Sequence, residues 1–348
     1  MKSQNRTRPR GVAFYACGLL TLATLLTSYD MRAQSLPDIE NSIPAPGTRV
    51  FAPYVDMGIT SDENLVSIQQ KTGIKGATIA FIVATGSGCT AGWGGLGETL
   101  PNDKLADGTT VQSVVKSLQK ANVQVILSFG GQSGTEPAAK CKTVSALQAL
   151  YQSVINRYGV KMLDFDIEGS ESANTTANTL RDKALVALKK ANPGLYISYT
   201  LQVLPSGLIS TGESILKSAK KDGLALDLVN VMAMDYGTSV DNHGQMGADA
   251  VDAAENTEKE IKSAGLSSKV GITVMVGVND VKPEVFSLDD INTVLNFANE
   301  KTSSFVARLG IWSTARDNGN CAGNTTASAT CSGLKQSSYQ FSDNFKTF

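Results

Sequence analysis

The stretch that decides the fold is VKMLDFDIEG, Val160–Gly169. Its apolar and acidic residues alternate as in a β-strand, where successive side chains point to opposite faces. Asp164, Asp166 and Glu168 therefore share one face, roughly 6.5–7 Å apart from one to the next. Carboxylates this close raise one another's pKa when solvent is limited, so one of them is expected to hold a proton and to act as a general acid. The alternative is a solvated polar face on an antiparallel edge strand.

Seven further β-branched apolar runs accompany this strand. Segments with apolar residues at i, i+3, i+4 and i+7, mostly ending at Gly or Asn, lie between them and predict helices. Eight strand-then-helix units over about 300 residues indicate an α/β fold, a (β/α)8 TIM barrel. An open doubly wound sheet is the competing fold, but the first run lacks a phosphate loop such as GxGxxG. The seven runs are RVFAPYVDMG from Arg49, GATIAFIVA from Gly76, VQVILSFGG from Val123, LYISYTLQVLP from Leu195, DLVNVMAMDYG from Asp227, KVGITVMVGVND from Lys269 and LGIWSTARDN from Leu309.

Polar and aromatic side chains gather at the carboxyl ends of these runs. The carboxyl ends of all strands meet at one rim of a (β/α)8 barrel, and catalytic residues occupy that rim. Because run after run carries such residues, we expect the active site there. Besides the three acids, the residues concerned are Tyr54, Asp56, Ser128, Gln202, Asp235, Tyr236, Asn279, Asp280 and Trp312.

The amino terminus resembles a secretory leader. Basic residues between Lys2 and Arg10 precede the apolar run GVAFYACGLLTLATLL, and polar sequence follows. We expect a signal peptide over residues 1–33, a linker over 34–47 and one catalytic domain over 48–348. The expected location is extracellular or periplasmic. An uncleaved membrane anchor is the alternative, although the run is short for a span.

Four cysteines remain after removal of the leader, an even number in an oxidising compartment. They predict two disulfides, for which three pairings are possible. We favour Cys89 with Cys141 and Cys321 with Cys331, because the second pair closes a short loop rich in Gly, Asn, Ser and Thr. The spacings contain no CxxC, so a zinc site is not expected.

The remaining composition excludes several classes of protein. The chain has one histidine, His243, so a multi-histidine metal site cannot be built and a Ser-His-Asp site could use only that residue. We interpret His243 as an exposed loop residue without a catalytic role. The net charge of −1 leaves no basic excess for nucleic acid. We expect a monomer that has no membrane contact after leader removal.

Motifs on several runs together carry a family resemblance. SFGG (Ser128–Gly131) closes the third run and LDFDIEG (Leu163–Gly169) the fourth, while MAMDYG (Met232–Gly237) lies on the sixth and Trp312 on the eighth. From about Arg49 onward the chain resembles the family 18 glycoside hydrolases, the chitinases. The resemblance implies a secreted chitinase that cleaves β-1,4-linked N-acetylglucosamine with retention, by a substrate-assisted mechanism that calls for no metal or other cofactor.

The resemblance also implies roles for the three acids. Glu168 would protonate the glycosidic oxygen while the carbonyl oxygen of the substrate's own N-acetyl group attacks the anomeric carbon, giving an oxazolinium-like ring. Asp166 would orient the acetamido N–H and offset the developing positive charge. Asp164, deeper in the barrel, would share a proton with Asp166. The expected substrate-binding residues are Tyr54, Ser128, Gly130, Gln202, Met234, Asp235, Tyr236 and Trp312.

Two positions depart from the family pattern. Lys161 replaces the first Asp of DxxDxDxE, at the start of the strand, where we expect an effect on packing rather than on chemistry. Met234 stands where the family commonly has a Tyr that supports the acetamido carbonyl. Tyr236 or Tyr54 is a candidate to replace that Tyr.

The two tryptophans each admit two interpretations. Trp312 is either the aromatic floor beneath the sugar that is cleaved, as the family implies, or a core residue. Trp93, in the glycine-rich GCTAGWGGLG, is either a further sugar platform or a cover for the barrel rim. Because long glycan chains are usually held by several aromatic residues, we expect a short cleft.

Three other functions remain open at this point. An endo-β-N-acetylglucosaminidase of the same family would act on glycan or peptidoglycan chains, and differs in loops that the sequence does not reveal. A non-catalytic sugar-binding relative is disfavoured because Glu168 is present. An unrelated barrel enzyme for phosphorylated metabolites fits poorly with secretion and with the lack of a glycine-rich phosphate loop.

Overall fold

The computed structural model describes residues 45–59, 65–97, 99–238, 240 and 244–348. The expected signal peptide, linker residues 34–44 and His243 lie outside these residues. The strands are β1 Val50–Phe51, β2 Tyr54–Asp56, β3 Gly76–Ala84, β4 Ala91–Trp93, β5 Gln124–Gly130, β6 Met162–Asp166, β7 Tyr196–Leu204, β8 Gly207–Leu208, β9 Leu228–Ala233, β10 Lys269–Met275, β11 Gly277–Val278, β12 Val285–Phe286 and β13 Val306–Trp312. The α-helices are α1 Leu65–Thr72, α2 Val111–Lys120, α3 Val144–Tyr158, α4 Gly169–Ser172, α5 Thr175–Ala191, α6 Ser210–Asp222, α7 Met246–Ser263, α8 Leu288–Asn299 and α9 Gln340–Phe345.

Eight parallel strand positions form the barrel. The first position is divided between β1, which pairs with β13, and β2, which pairs with β3, so the two edges of the sheet meet in one chain segment. Between them follow β3, β5, β6, β7, β9, β10 and β13, each parallel to the next. At least one helix follows each position. The predicted (β/α)8 fold is confirmed, and the eight predicted runs are its eight strand positions.

The apolar face of β6 packs outward against the helices. Phe165 is fully buried and stacks on Phe129 of β5, with 5.0 Å between ring centroids. Tyr151 of α3 contacts Phe165 edge-on at 5.1 Å. Burying an aromatic side chain of this size contributes about 1.5–3 kcal/mol. This packing fixes which face of β6 points away from the helices, and that face carries the acids.

Polar side chains fill the middle of the barrel. Tyr54 of β2, Thr200 of β7 and Asn230 of β9 are buried, and their side chains are hydrogen-bonded to one another at 2.9–3.3 Å. Asn230 also donates to Thr273 of β10, at 2.9 Å. Because these residues come from strands all around the barrel, their contacts hold the sheet closed beneath the rim.

Helix boundaries follow local sequence signals. Thr110 caps α2 and Ser287 caps α8, each in a reciprocal capping box. The helices α3 and α6 end at Gly159 and Gly223, which adopt left-handed backbone conformations with φ of +64° and +80°. The end of α3 at Gly159 agrees with the Gly and Asn stops that the sequence predicted.

Both favoured cysteine pairings are confirmed. Disulfides join Cys89 with Cys141 and Cys321 with Cys331, across 52 and 10 residues of sequence. The second one closes a loop that follows the last barrel strand. Across the described ranges, no helix combines the length and apolar character that crossing a bilayer requires.

One strand begins earlier than the sequence predicted. The eighth run was placed from Leu309, but β13 begins at Val306 and includes Arg308, which is buried. The apolar pattern stopped at this arginine because a charged side chain is seldom buried without a partner. That partner is Asp164, on a strand far away in sequence.

Candidate active site

The three acids lie on the carboxyl-terminal half of β6 and just beyond it. The strand ends at Asp166, earlier than predicted, because its ladder with β7 ends at the pair Asp166 and Thr200. The backbone nevertheless stays extended to Glu168, with φ −123° and ψ 174°. The predicted alternation therefore continues through Glu168. Asp164 is fully buried, Asp166 is 5% exposed and Glu168 is half-buried, so accessibility increases toward the rim.

Asp164 is surrounded by donors from four other strands. Its carboxylate accepts hydrogen bonds from the hydroxyls of Tyr54 at 2.9 Å, Ser128 at 2.7 Å, Ser198 at 2.5 Å and Thr200 at 3.0 Å. The Arg308 guanidinium lies 3.4 Å from it. All of these donors come from strands other than β6, and the proton that Asp164 is expected to share with Asp166 stays a prediction. Their number fits an acceptor that anchors the base of the site.

The carboxyl groups of Asp166 and Glu168 influence each other's ionisation. Burial raises the pKa of Asp166 well above its usual range, and the negative charges of Glu168 and Asp164 raise it further. Burial likewise raises the pKa of Glu168, a hydrogen bond with Asp166 lowers it, and the charge of Asp235 raises it. A single proton shared by the two carboxyls relieves their repulsion. The pair can therefore deliver a proton to a group bound beside Glu168.

A cleft of about 430 Å³ opens at the carboxyl ends of the strands. Its volume lies within the usual range for small-ligand sites. The charged side chains among its described lining residues are all acidic. The lining residues are Tyr54, Phe81, Gln132, Ser133, Asp166, Glu168, Thr200, Gln202, Met232, Met234, Asp235, Thr273, Met275, Asp280, Val281 and Trp312.

The structure separates the two tryptophans. Trp312 lines the cleft and is partly exposed, stacked on Phe81 with 5.7 Å between centroids and meeting Tyr54 edge-on at 6.1 Å. Trp93 is 1% exposed, and its indole N–H donates to the Tyr158 hydroxyl at 2.7 Å. Trp312 can therefore present an aromatic surface to a ligand, whereas Trp93 is a core residue.

The end of β9 places Asp235 but not Tyr236 in the cleft. Asp235 has a left-handed backbone with φ +51°, and its carboxylate accepts a hydrogen bond from the Val281 N–H at 3.0 Å. Tyr236 is 5% exposed and lies outside the cleft lining, where burial raises its pKa well above the usual value. Met234, at the position where the family commonly has a Tyr, lines the cleft. Tyr54, the other candidate to replace that Tyr, also lines the cleft, but its hydroxyl is already hydrogen-bonded to Asp164 and Thr200.

The other predicted residues divide between lining and support. Gln202 lines the cleft, whereas Ser128 is buried beneath it. Gly130 has φ +96°, and a Cβ there would lie 2.2 Å from the Asp166 carbonyl oxygen, so only glycine allows this close approach. Asn279 is buried and donates to backbone carbonyls at 2.9 Å. Lys161 is exposed and precedes the amino end of β6, at the end of the barrel opposite the rim.

Sequence reasoning missed several residues of the site. Arg308 had one signal, a charge within the apolar run VARLGIW, but the predicted run began one residue later. Phe81 lies mid-strand in GATIAFIVA, where an aromatic residue indicates only a packed sheet. Other lining residues had no distinguishing pattern. These are Gln132, Ser133, Thr200, Met232, Thr273, Met275 and Val281.

Comparisons with known proteins point to one family. The family model "Glycosyl hydrolases family 18" matches residues 51–346. The chain is 33% identical over 320 residues to "Probable bifunctional chitinase/lysozyme" of Escherichia coli (strain K12), covering 86% of this chain and 34% of that protein. It is 32% identical over 289 residues to "Endochitinase 11" of Metarhizium anisopliae, covering 77% of this chain and 52% of that protein. The chain thus spans about a third and about half of these relatives' lengths.

A solved structure extends the similarity to three dimensions. It is one of the "catalytic site mutants of active domain 2 of thermostable chitinase from Pyrococcus furiosus complexed with chito-oligosaccharides". The TM-score is 0.74 at 28% sequence identity, and the match covers 88% of this chain and 96% of that one. Its coverage indicates that the barrel described here corresponds to that one almost throughout.

Proposed function

Because this chain belongs to glycosyl hydrolase family 18, we propose that it is a chitinase that hydrolyses β-1,4 linkages between N-acetylglucosamine units with retention. The observation that carries the proposal is that Asp166 and Glu168, two carboxylates from one face of a strand, both line an open cleft that also exposes Trp312. The chitinases among its relatives support the choice of substrate. A leader-like amino terminus supports secretion as part of the same proposal.

In the first step Glu168 donates its proton to the glycosidic oxygen. The bond between that oxygen and the anomeric carbon breaks, and the carbonyl oxygen of the substrate's own acetamido group bonds to the anomeric carbon. The product is a cyclic oxazolinium ion and a free leaving-group hydroxyl. Asp166 accepts a hydrogen bond from the acetamido N–H, which orients the attack and stabilises the positive charge that develops.

In the second step the ionised Glu168 acts as a base. It removes a proton from water as the water oxygen attacks the anomeric carbon, and the bond to the acetamido oxygen breaks. Two inversions at the anomeric carbon give net retention. Glu168 regains its proton, so the cycle closes without any other co-reactant. The stacked, partly exposed ring of Trp312 supplies a surface for the sugar that reacts.

Mass spectrometry of the products from defined N-acetylglucosamine oligomers tests the proposed function. The expected result is cleavage of the acetylated oligomers and none of fully deacetylated oligomers of equal length, since only the former carry the amide that attacks. Equal rates on both would contradict the mechanism. An arm with peptidoglycan is included because one relative is described as a chitinase/lysozyme. Cleavage there alone would favour the peptidoglycan-directed alternative.

Replacing Asp235 by asparagine is expected to move the alkaline limb of kcat/KM to lower pH. Glu168 must be protonated to act, so activity falls as pH rises through its pKa. Burial raises that pKa most, and the negative charge of Asp235 raises it as well. Removing this charge lets Glu168 lose its proton at lower pH.

The pH profile of kcat/KM on a chitin oligomer measures this shift. Asp280→Asn is the matched control, because its exposed carboxylate also lines the cleft but is not among the charges that raise the pKa of Glu168. A smaller shift is expected there. An unmoved or upward limb in the Asp235 variant would contradict the assignment.

A further inference from the structure

The position of Asp235 depends on a chain segment that follows β10. The Val281 N–H donates to the Asp235 carboxylate at 3.0 Å. Val281 belongs to residues 276–281, which we call the wall segment. Val281 and Asp280 also line the cleft. Any displacement of the wall segment therefore changes the cleft and the carboxylate whose charge acts on Glu168.

Arg316 holds the wall segment from behind. Its side chain is 2% exposed, and one guanidinium nitrogen, Nη2, donates to the carbonyls of Val276 at 3.0 Å and Val278 at 2.5 Å. The other, Nη1, donates to the carbonyl of Ser328. Ser328 lies in the loop that the disulfide between Cys321 and Cys331 closes. The guanidinium thus joins the wall segment to a covalently closed loop.

A second contact supports the same arrangement. The Val278 N–H donates to the Ser332 carbonyl at 2.8 Å. Gly277 has φ +76°, and a Cβ on it would lie 1.9 Å from the Ser332 oxygen. The wall segment therefore lies directly against the end of the disulfide-closed loop. The carbonyl groups that Arg316 binds thus belong to two segments that also contact each other directly.

The partners of Arg316 are unusual for a buried arginine. Within the part of the chain that the structure describes, it forms no salt bridge, and its Nε has no hydrogen-bond partner. Burial lowers the pKa of Arg316, and the negative charges of Asp280 and Asp235 oppose that shift without forming a salt bridge. By contrast, Arg181 and Arg308 are both paired with carboxylates. Burial of Arg316 is better explained by the three carbonyls that its planar fork can bind at once, which a lysine cannot reproduce.

We propose that Arg316 is a positioning residue: its guanidinium fixes the wall segment against the disulfide-closed loop and thereby holds Asp235 in place beside Glu168. This inference rests on the proposed function. Arg316 is not among the residues that line the cleft. It acts through the backbone of residues 276–281 and through Asp235.

The test is a double-mutant cycle between Arg316 and Asp235, with kcat/KM measured on a fluorogenic chitin disaccharide. Arg316→Met is expected to lower kcat/KM roughly ten- to a hundredfold, because small misplacements of a site are this costly. Arg316→Lys is expected to resemble it, since lysine keeps the charge but not the fork. In an Asp235→Asn background, Arg316→Met should lower kcat/KM by less than about threefold, because Asp235, through which Arg316 acts, is already altered.

Two results would overturn the proposal. One is wild-type kcat/KM in Arg316→Lys, which would reduce the role of Arg316 to its charge. The other is an equal loss from Arg316→Met in both backgrounds, which a purely structural role predicts. If the Met variant does not fold, as judged by circular dichroism, the Lys variant in the two backgrounds provides the same comparison.

Arg157→Met is the matched control. It removes a partly exposed arginine that pairs with Asp103 at 3.1 Å and lies outside the cleft lining, so kcat/KM should not change. Wild-type protein in the same assay separates the two proposals. If wild type does not turn over the disaccharide or longer oligomers, the proposed function fails. If wild type is active and the cycle is additive, only the role of Arg316 fails.

Discussion

Glu168→Gln is expected to lower kcat on N-acetylglucosamine oligomers by roughly 10²–10⁴-fold, the usual contribution of a positioned general acid. Glutamine has nearly the same shape but cannot donate the proton that the leaving oxygen needs. The substitution also removes the negative charge of Glu168, which raises the pKa of Asp166. Binding should survive, because the cleft and Trp312 are unchanged.

Two measurements separate chemistry from binding in this variant. Initial rates give kcat, and calorimetry or titration of the intrinsic tryptophan fluorescence gives the affinity for an oligomer. Glu171→Gln is the matched control: the same chemical change three residues along, in α4, outside the cleft lining. Its kcat should equal that of wild type. Near-normal turnover by Glu168→Gln would remove Glu168 from the role of acid.

Arg308→Met is expected to lower the free energy of unfolding by about 3–5 kcal/mol, the usual result of leaving one member of a buried ion pair alone. Arg308 and Asp164 have side chains 1% and 0% exposed, with 3.4 Å between them. Without the guanidinium, Asp164 keeps its hydroxyl donors but loses its only described cationic partner. The loss should appear in equilibrium urea unfolding.

Removing both charges of the pair together provides a further test. Arg308→Met combined with Asp164→Asn should be less destabilised than the sum of the single variants, because neither charge is then left unpaired. Lys217→Met is the surface control, since its pair with Glu213 is mostly exposed and is expected to contribute within about 1 kcal/mol. A stability of Arg308→Met equal to that of wild type would show that Asp164 does not need this cation.

Much of the fold could be predicted because its signals are local. The alternation in β6 and the Gly stop of α3 depend on neighbours a few residues apart in the chain. Loop closure by Cys321 and Cys331 was also a short-range inference, which the structure confirmed. The boundary of β13 could not be predicted in the same way, because burial of Arg308 depends on a partner 144 residues away.

The candidate site was predicted less completely. Sequence alternation brings Asp166 and Glu168 to one face, but the burial and the neighbouring charges that raise their pKa values depend on the closed barrel. Position at the rim alone predicts that Asp235 and Tyr236, which are adjacent in the chain, both bind substrate. A left-handed backbone at Asp235 places its carboxylate in the cleft, while Tyr236 is buried outside the lining.

The sequence by itself determined the strand that carries three acids, the eightfold strand-helix alternation and the family to which the chain belongs. These follow from periodicity and motif spacing, which are properties of contiguous residues. Only the tertiary structure decided that Trp312 faces the cleft while Trp93 lies in the core, and that the buried Arg308 contacts Asp164 while the buried Arg316 contacts the wall segment. Those outcomes depend on contacts between distant strands, and such contacts exist only once the barrel has closed.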